Sequence, residues 1–253
     1  MAGHSKWATT KHRKAAQDKQ RSALFSKLSR SITVAAKEGG DPNPDNNASL
    51  AAAIAKARSY SLPNDKIDTA INKAFGKDAD AAAFEDVIYE GYGPAGIAIY
   101  VESLTDNRNR TAADVRAAFT HSGGNLGTTG SVAFQFDRKG QVLVEKDAAP
   151  EEDDLMMAVA EAGGLDYEDT DELWVIWTEP ADTMAVSRSL ESQGITVKGA
   201  ELTMDPKVTS EVSVADAKKV MRLVDKLEEL DDIQNVYHTM EITDEIAEAL
   251  DQE

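Results

Sequence analysis

The stretch that decides the fold runs from Gln141 to Met204 and reads QVLVEKDAAPEEDDLMMAVAEAGGLDYEDTDELWVIWTEPADTMAVSRSLESQGITVKGAELTM. Short runs rich in β-branched and aromatic residues alternate in it with two longer runs of helical periodicity, and glycine or proline residues separate them. The pattern predicts a complete β-α-β-β-α-β unit, which is the ferredoxin-like arrangement. We therefore expect a domain at residues 139–205.

The sequence on either side of this unit predicts one further β-α-β half. The first half has strands at 96–103 and 131–136 around a helix at 111–122, and the second has strands at 210–214 and 233–242 around a helix at 215–230. Two such halves complete a second β-α-β-β-α-β unit. We therefore expect a discontinuous α/β domain, formed by residues 82–138 plus 206–253, into which the first domain is inserted.

Residues 23–77 have the periodicity of three short amphipathic helices. The apolar positions expected to face a shared core are Leu24, Leu28, Ile32, Leu50, Ile54, Ala57, Ile67, Ile71 and Phe75. Gly39 and Gly40 end the first helix, and Asn64 is expected to cap the third. The fold class is therefore α+β: an N-terminal three-helix bundle followed by two ferredoxin-like α/β domains, one inserted in the other.

Charge is distributed very unevenly along the chain. The formal net charge of the 253 residues is -18, but residues 1–77 carry 14 Lys and Arg against 6 Asp and Glu, a net of +8. Residues 78–253 carry 13 against 39, a net of -26. Below, residues 1–77 are called the N-terminal segment and residues 78–253 the body. Such asymmetry is typical of a protein that contacts a polyanion through one end only.

Within the N-terminal segment, the most basic part is an arm at residues 1–22, which we expect to be flexible and to order only on a partner. Basic side chains attract phosphates without strict geometry, and an exposed indole can stack on a base. A merely solvated face is the alternative. The candidate nucleic-acid-binding residues here are Lys6, Trp7, Lys11, His12, Arg13, Lys14, Lys19, Arg21, Lys27 and Arg30.

A second basic group lies in the body, in the turn DNRNRT at residues 106–111. Asn107, Arg108 and Arg110 are candidate contacts to a phosphate, because arginines and amides are common phosphate donors. The alternative is a local role, in which Asn109 or Thr111 caps the following helix.

Two further patterns suggest nucleic-acid contacts less strongly. Phe134 and Phe136 alternate with Val132 on one face, where they either stack on bases or, as we expect, pack in the core. The second and third helices have helix-turn-helix spacing, but the helix beginning at Asn64 has no arginine with which to read guanine. We therefore do not expect that helix to read a base sequence.

The residues that enzymes require do not form a recognisable pattern. The chain has no cysteine, its four histidines are scattered, and no serine lies in a G-x-S-x-G motif. GYGPAG, at residues 91–96, has the glycine spacing of a dinucleotide site, but a strand rather than a helix follows it. We therefore expect a non-enzymatic protein with no metal, cofactor, small-molecule substrate or membrane span, located in the cytoplasm.

Several longer motifs resemble the YebC family. They are MAGHSKW at residues 1–7, KHRKAAQDKQR at 11–21, LPNDKID at 62–68, YEGYGPAGIAIYVE at 89–102, TDNRNRT at 105–111 and GGNLGTTGSVAFQF at 123–136. The resemblance implies a helical N-terminal domain with two α/β domains, and a cytoplasmic, probable transcriptional regulatory, DNA-binding protein. Mitochondrial members of the family are translational activators of cytochrome c oxidase, and some bacterial members act on ribosomes stalled at proline-rich sequences. Ribosomal RNA is therefore the alternative target.

Overall fold

The computed structural model describes residues 18–76, 84–170 and 172–251. These residues fall into two compact units. The first unit contains residues 84–137 and 204–251, which come from two separate parts of the chain. The second contains residues 18–76 and 138–203.

In the second unit, residues 18–76 form three helices, α1 (Asp18–Gly39), α2 (Ala48–Ser59) and α3 (Asn64–Ala74). Helix α1 begins inside the segment predicted as an arm, and it ends where Gly40 takes a left-handed φ of 67°. Asn47 joins the next two elements, because its Oδ1 accepts from the Leu50 backbone N–H at 3.0 Å while its Nδ2 donates to Ala35 O at 2.9 Å. The end of α1 is therefore fixed to the start of α2.

The predicted apolar faces form the core of this bundle, with Leu28, Ile32, Leu50, Ile54 and Ile67 buried. Two details differ from the prediction. The residue that precedes α3 as its N-cap is Pro63 rather than Asn64, and no side chain caps that end of the helix. Phe75 is 46% exposed, because it follows the last turn of α3 instead of continuing its buried face.

The rest of the second unit is the predicted β-α-β-β-α-β arrangement. Its elements are β4 (Phe136–Glu145), α5 (Glu152–Ala162), β5 (Asp166–Asp169), β6 (Leu173–Thr178), α6 (Thr183–Ser192) and β7 (Val197–Pro206), and the strand order is β5-β6-β4-β7. The pairs β4–β6 and β5–β6 are antiparallel. Strand β6 is buried along its whole length, which agrees with its nearly continuous apolar sequence LWVIWT.

The bundle and β7 are in contact within this unit. The Lys56 ammonium lies 3.3 Å from the Glu201 carboxylate. Gly199 approaches Ser59 so closely that a Cβ at residue 199 would lie 2.1 Å from the Ser59 Cβ. Only glycine is compatible with that approach, so the helical bundle is packed on the edge strand of the inserted sheet.

The first unit has a four-stranded sheet of its own, of order β3-β1-β2-β8. Its elements are β1 (Glu85–Tyr92), β2 (Ala98–Thr105), α4 (Arg108–His121), β3 (Asn125–Leu126), α7 (Val214–Glu228), β8 (Ile233–His238) and α8 (Asp244–Asp251). Strand β2 lies between β1 and β8 and is antiparallel to both. Residues far apart in sequence thus form one sheet.

Two predicted strands of this unit are wrong. Residues 210–214 contribute only one bridge, from Ser210 to Met240, and β1 occupies the place in the sheet that a third ferredoxin-like strand would take. Residues 131–136 contain a 3₁₀ turn at Ala133–Gln135, after which β4 begins. That turn breaks the alternation of side chains, so Phe134 is 65% exposed rather than part of the core.

The predicted fold class is confirmed at the level of architecture. N-terminal helices are followed by two α/β domains, each built on a four-stranded antiparallel sheet. The strands of the inserted sheet, within residues 136–206, lie in sequence between β3 and β8 of the outer sheet. The two sheets differ in how they reach four strands. The inserted sheet follows the ferredoxin-like order, whereas the outer sheet uses a β1–β2 hairpin.

Candidate nucleic-acid interface

The predicted contacts of the arm lie outside the described residues. These are Lys6, Trp7, Lys11, His12, Arg13 and Lys14. Lys19 belongs to α1, but its side chain is also outside the described part. The remaining candidates are on α1 and at the turn before α4.

On α1 the three described basic candidates have different environments. Arg21 is exposed, and its guanidinium lies 5.3 Å from the centre of the Phe25 ring, where a cation–π contact orients it. Arg30 is half-buried. Lys27, a predicted nucleic-acid contact, is only 7% exposed, so α1 does not present it to a large ligand as it presents Arg21.

Helix α3 presents a surface of mixed charge. Asp65, Lys66, Asp68 and Lys73 are all exposed on it. Opposite charges on one short face attract a phosphate weakly, and none of these side chains forms the bidentate contact that arginine makes to guanine. That α3 does not read a base sequence stays a prediction.

The turn before α4 is built around Asn107. This residue is the N-cap of α4, and its Oδ1 accepts from the Arg110 backbone N–H at 3.1 Å. The predicted caps, Asn109 and Thr111, lie instead inside the helix. The Asn107 carboxamide is therefore occupied in shaping the turn, which is the usual role of Asn at this position.

Asp232 fixes the other side of this turn. Its Oδ2 accepts hydrogen bonds from the Arg110 guanidinium at 2.7 Å and from the Thr111 hydroxyl at 2.7 Å. Thr105 Oγ1 lies 3.2 Å from the same oxygen and accepts from the Asn107 backbone N–H at 2.9 Å. Asp232 is buried, so a loop more than 120 residues away in sequence holds the DNRNRT turn in place.

These contacts shift the pKa of both charged groups. Burial raises the pKa of Asp232, but the hydrogen bonds from Arg110 and Thr111 outweigh it and hold that pKa below its ordinary value. The hydrogen bonds to Asp232 and then to Asp106 raise the pKa of Arg110. Both groups are therefore charged at neutral pH, and the Arg110 guanidinium forms ion pairs with the carboxylates of Asp106 and Asp232.

Arg108 is the more available arginine. Its guanidinium is 3.5 Å from the Glu85 carboxylate, and both side chains are at least half exposed. Such a pair is weak in water. Beside it, the Tyr89 hydroxyl donates to Arg108 O at 3.4 Å, and burial is the main cause that raises the pKa of this phenol.

Sequence reasoning identified the turn but missed the residue that fixes it. Asp232 stands in the acidic run ELDD at residues 229–232, where nothing local distinguishes it from the neighbouring carboxylates. A signal would have been the two threonines that flank the turn, because buried hydroxyls need a partner.

The described residues form neither a metal cluster nor a membrane-spanning helix. Within residues 18–76, 84–170 and 172–251, no three His, Asp or Glu side chains converge in a way that would hold a metal ion. In the same part of the chain, no helix is long and apolar enough to cross a membrane.

Comparison with known proteins gives consistent matches along the chain. Residues 5–77 match the family description "TACO1/YebC protein N-terminal domain", and residues 84–240 match "TACO1/YebC second and third domain". Proteins named "Probable transcriptional regulatory protein" from Rubrobacter xylanophilus and Nocardia farcinica are 49% and 47% identical to it. The alignments cover 97% of this chain and 98% of the first relative, and 99% of both chains for the second.

A solved structure agrees with these matches. The crystal structure of a conserved hypothetical protein from Aquifex aeolicus superposes with a TM-score of 0.80 at 41% sequence identity, covering 90% of this chain and 93% of that one. Sequence and fold therefore point to the same group of proteins. The chain belongs to the TACO1/YebC family.

Proposed function

We propose that this protein is a non-enzymatic, nucleic-acid-binding regulator of gene expression that acts in the cytoplasm. The observation that carries the proposal is the charge division, with a net of +8 in residues 1–77 and -26 in residues 78–253. A polyanion is attracted to the first region and repelled by the second, so binding is directed to one end of the molecule. The names of the relatives support a role in transcription, and DNA is the target that we propose for that role.

The binding surface we propose has two parts. The arm and α1 provide most of the affinity through Lys11, Arg13, Lys14 and Arg21, and Arg108 at the turn before α4 adds a further contact. Arg108 suits this role because its pair with Glu85 is long and exposed, and a phosphate can replace that carboxylate at little cost. Arg110 stabilises the turn through its ion pair with Asp232.

Ribosomal RNA is a second candidate target. The observation that favours it is that α3 has no arginine for base reading, so the phosphate contacts of the basic N-terminal segment carry little sequence selectivity. The acidic body also disfavours wrapping by long duplex DNA, whereas it is compatible with the basic proteins of a ribosome. Crosslinking in cells with sequencing of both DNA and RNA separates the two targets: promoter DNA with a shared motif supports transcription, and ribosomal RNA supports translation.

The test of the binding surface is the salt dependence of affinity. If about five phosphates are contacted on duplex DNA, log K falls with log salt at a slope near -4.5. Charge reversal at Lys11, Arg13 and Lys14 should flatten this slope by about 2.7 units, because about 0.9 is lost for each phosphate contact, and weaken binding to all sequences alike.

A matched control reverses three charges in the body, at Lys198, Lys219 and Arg222. The net charge of the protein changes by the same amount, but the arm is intact, so the slope should stay near its wild-type value. Equal slopes for the wild type and the arm variant, or equal loss in both triple variants, would contradict the proposed surface.

A further inference from the structure

The segment from Gly127 to Gln135, called the 127–135 loop below, carries an exposed aromatic ring on a firmly held backbone. Its Phe134 is 65% exposed, while Val132 and Phe136 on either side are buried. A sequence selected for folding alone gains nothing from a phenylalanine in that position, since the ring adds apolar surface to the solvent-exposed side. The exposed face of the ring is therefore available to a ligand.

Glu90 holds the loop in this conformation. It is buried in β1, and its carboxylate accepts three backbone N–H groups: Gly130 at 2.7 Å, Val132 at 2.8 Å and Ala133 at 2.7 Å. Its own carbonyl accepts from Gly127 N–H at 2.8 Å. Burying a carboxylate is unfavourable unless it is fully hydrogen-bonded. Here the bonds to one side chain fix the loop immediately before Phe134.

Tyr92 links Ser131, which precedes Phe134 in the loop, to Gln135, which follows it. The Tyr92 hydroxyl donates to Ser131 O at 3.1 Å and accepts from the Gln135 side-chain amide at 3.1 Å. Gln135 O accepts from the Lys207 backbone N–H at 2.9 Å. Phe134 is thus presented between fixed neighbours, and a ligand that stacks on it needs to order little of the protein.

The surroundings of the ring suit a nucleotide. Residues 122–136 contain no Asp, Glu, Lys or Arg, although the body carries a net of -26. Thr128 and Thr129 offer exposed hydroxyls, and Lys207 places a half-exposed ammonium, paired with Asp137 at 3.3 Å, on the segment bonded to Gln135. This stretch is uncharged and the Lys207–Asp137 pair beside it is neutral overall, so it repels a phosphate chain less than the rest of the body does.

We propose that Phe134 is a stacking platform for one unpaired nucleobase. An exposed flat ring beside the hydroxyls of Thr128 and Thr129 provides the sequence-tolerant stacking that single-stranded nucleic acid uses, whereas a stable protein interface has a wider apolar core. The inference rests on the proposed function and deepens it, because it specifies an unpaired base, of RNA or of DNA, as the ligand of this part of the body.

The test compares the full-length wild type with Phe134→Ala, Phe134→Trp and Val208→Ala on single-stranded and duplex oligonucleotides of one sequence. Val208 is a control, because it is also an exposed apolar side chain at this edge of the unit. Phe134→Ala should weaken binding to the single strand by about 5- to 150-fold and leave duplex binding unchanged. Phe134→Trp should keep wild-type affinity, and Val208→Ala should have no effect.

Oligonucleotides with one abasic position identify the base. Removal of the stacked base should weaken wild-type binding as much as Phe134→Ala does, and should have no further effect on that variant. Separate RNA and DNA arms show which nucleic acid supplies the base. Unchanged single-strand affinity of Phe134→Ala, or equal losses on single strand and duplex, would overturn the stacking platform. If the wild type bound neither form, the proposed function itself would fail.

Discussion

Two buried carboxylates, Glu90 and Asp232, each fix one loop of the same unit, but they do it with different partners. Glu90 accepts only backbone N–H groups, those of Gly130, Val132 and Ala133. Asp232 accepts mainly from side chains, those of Arg110, Thr111 and Thr105. The difference decides what each loop can do.

Every substitution except proline keeps the backbone N–H, so the bonds that tie the 127–135 loop to Glu90 do not depend on the side chains of the loop. A side-chain partner can exchange, and Arg110 is 49% exposed. The DNRNRT turn can therefore exchange one of its bonds with a ligand or with salt, whereas the 127–135 loop is bound to its carboxylate through the backbone and presents the ring of Phe134 beside the hydroxyls of Thr128 and Thr129.

The largest effect is expected for Glu90→Gln, which tests whether the carboxylate of Glu90 fixes the 127–135 loop. The glutamine has the same shape, but its amide NH₂ faces a backbone N–H and cannot accept, so at least one bond to a charged acceptor is lost and the others weaken. Such bonds contribute about 1.5–3 kcal/mol each. The amides of Gly130, Val132 and Ala133 should exchange with solvent deuterium about 100-fold faster, which mass spectrometry measures.

Glu102→Gln on the neighbouring strand β2 is the matched control. Its carboxylate accepts from the side chains of Asn235 and Tyr237, which can reorient around a glutamine. Exchange in the 127–135 loop should then stay at the wild-type rate. Equal acceleration in both variants would mean that the sheet as a whole, and not Glu90, protects the loop.

These two carboxylates also show which parts of the fold can be predicted from the sequence and which cannot. The periodicity of α1, α2 and of residues 141–204 predicts elements whose own apolar face decides their structure. Strand β1 was missed because Glu85, Asp86 and Glu90 are unfavourable in strands, and its stability comes from pairing with β2 and β3.

The same limit applies to the candidate site. The basic arm and the DNRNRT turn are visible as composition, but the partners that fix the two loops are 40–43 and 121–127 residues away. Strict alternation through residues 132–136 predicts Phe134 in the core, together with Val132 and Phe136. Glu90 and the 3₁₀ turn interrupt that alternation, and neither can be inferred from a period of two.

A smaller effect, with a pH signature, is expected for Asp232→Asn. Loss of the charge weakens the bonds from Arg110 and Thr111, which should lower the free energy of unfolding by about 2 kcal/mol at pH 7. Because the folded-state pKa of Asp232 is below its unfolded value, its contribution is present above about pH 4 and is lost as the pH falls through the folded value.

The measurement is urea unfolding, followed by circular dichroism, of the wild type and Asp232→Asn at a series of pH values. The difference in stability between them should be constant from pH 7 to about pH 5 and should shrink in more acidic solution. A difference that grew on acidification would mean that burial, and not the bond to Arg110, dominates the pKa of Asp232.

The smallest effects are expected for substitutions of the two arginines of the DNRNRT turn. They test whether one arginine stabilises the turn while the other binds a phosphate. Arg110→Ala should lower stability, because it removes the cation that faces buried Asp232, whereas Arg108→Ala should leave stability unchanged, since its exposed pair with Glu85 is weak. Arg108→Ala should instead reduce the slope of log K against log salt by about 1 on duplex DNA, the value for one lost phosphate contact, with equal loss for all sequences.

Arg108→Lys keeps the charge and should restore the slope, which distinguishes a phosphate contact from a structural role. Both measurements use the intact chain: thermal unfolding for stability, and binding at four or more salt concentrations for the slope. If Arg110→Ala changed the slope while Arg108→Ala did not, the exposed side of Arg110 would be the phosphate contact, and the bond to Asp232 would serve to aim it rather than to hold the turn.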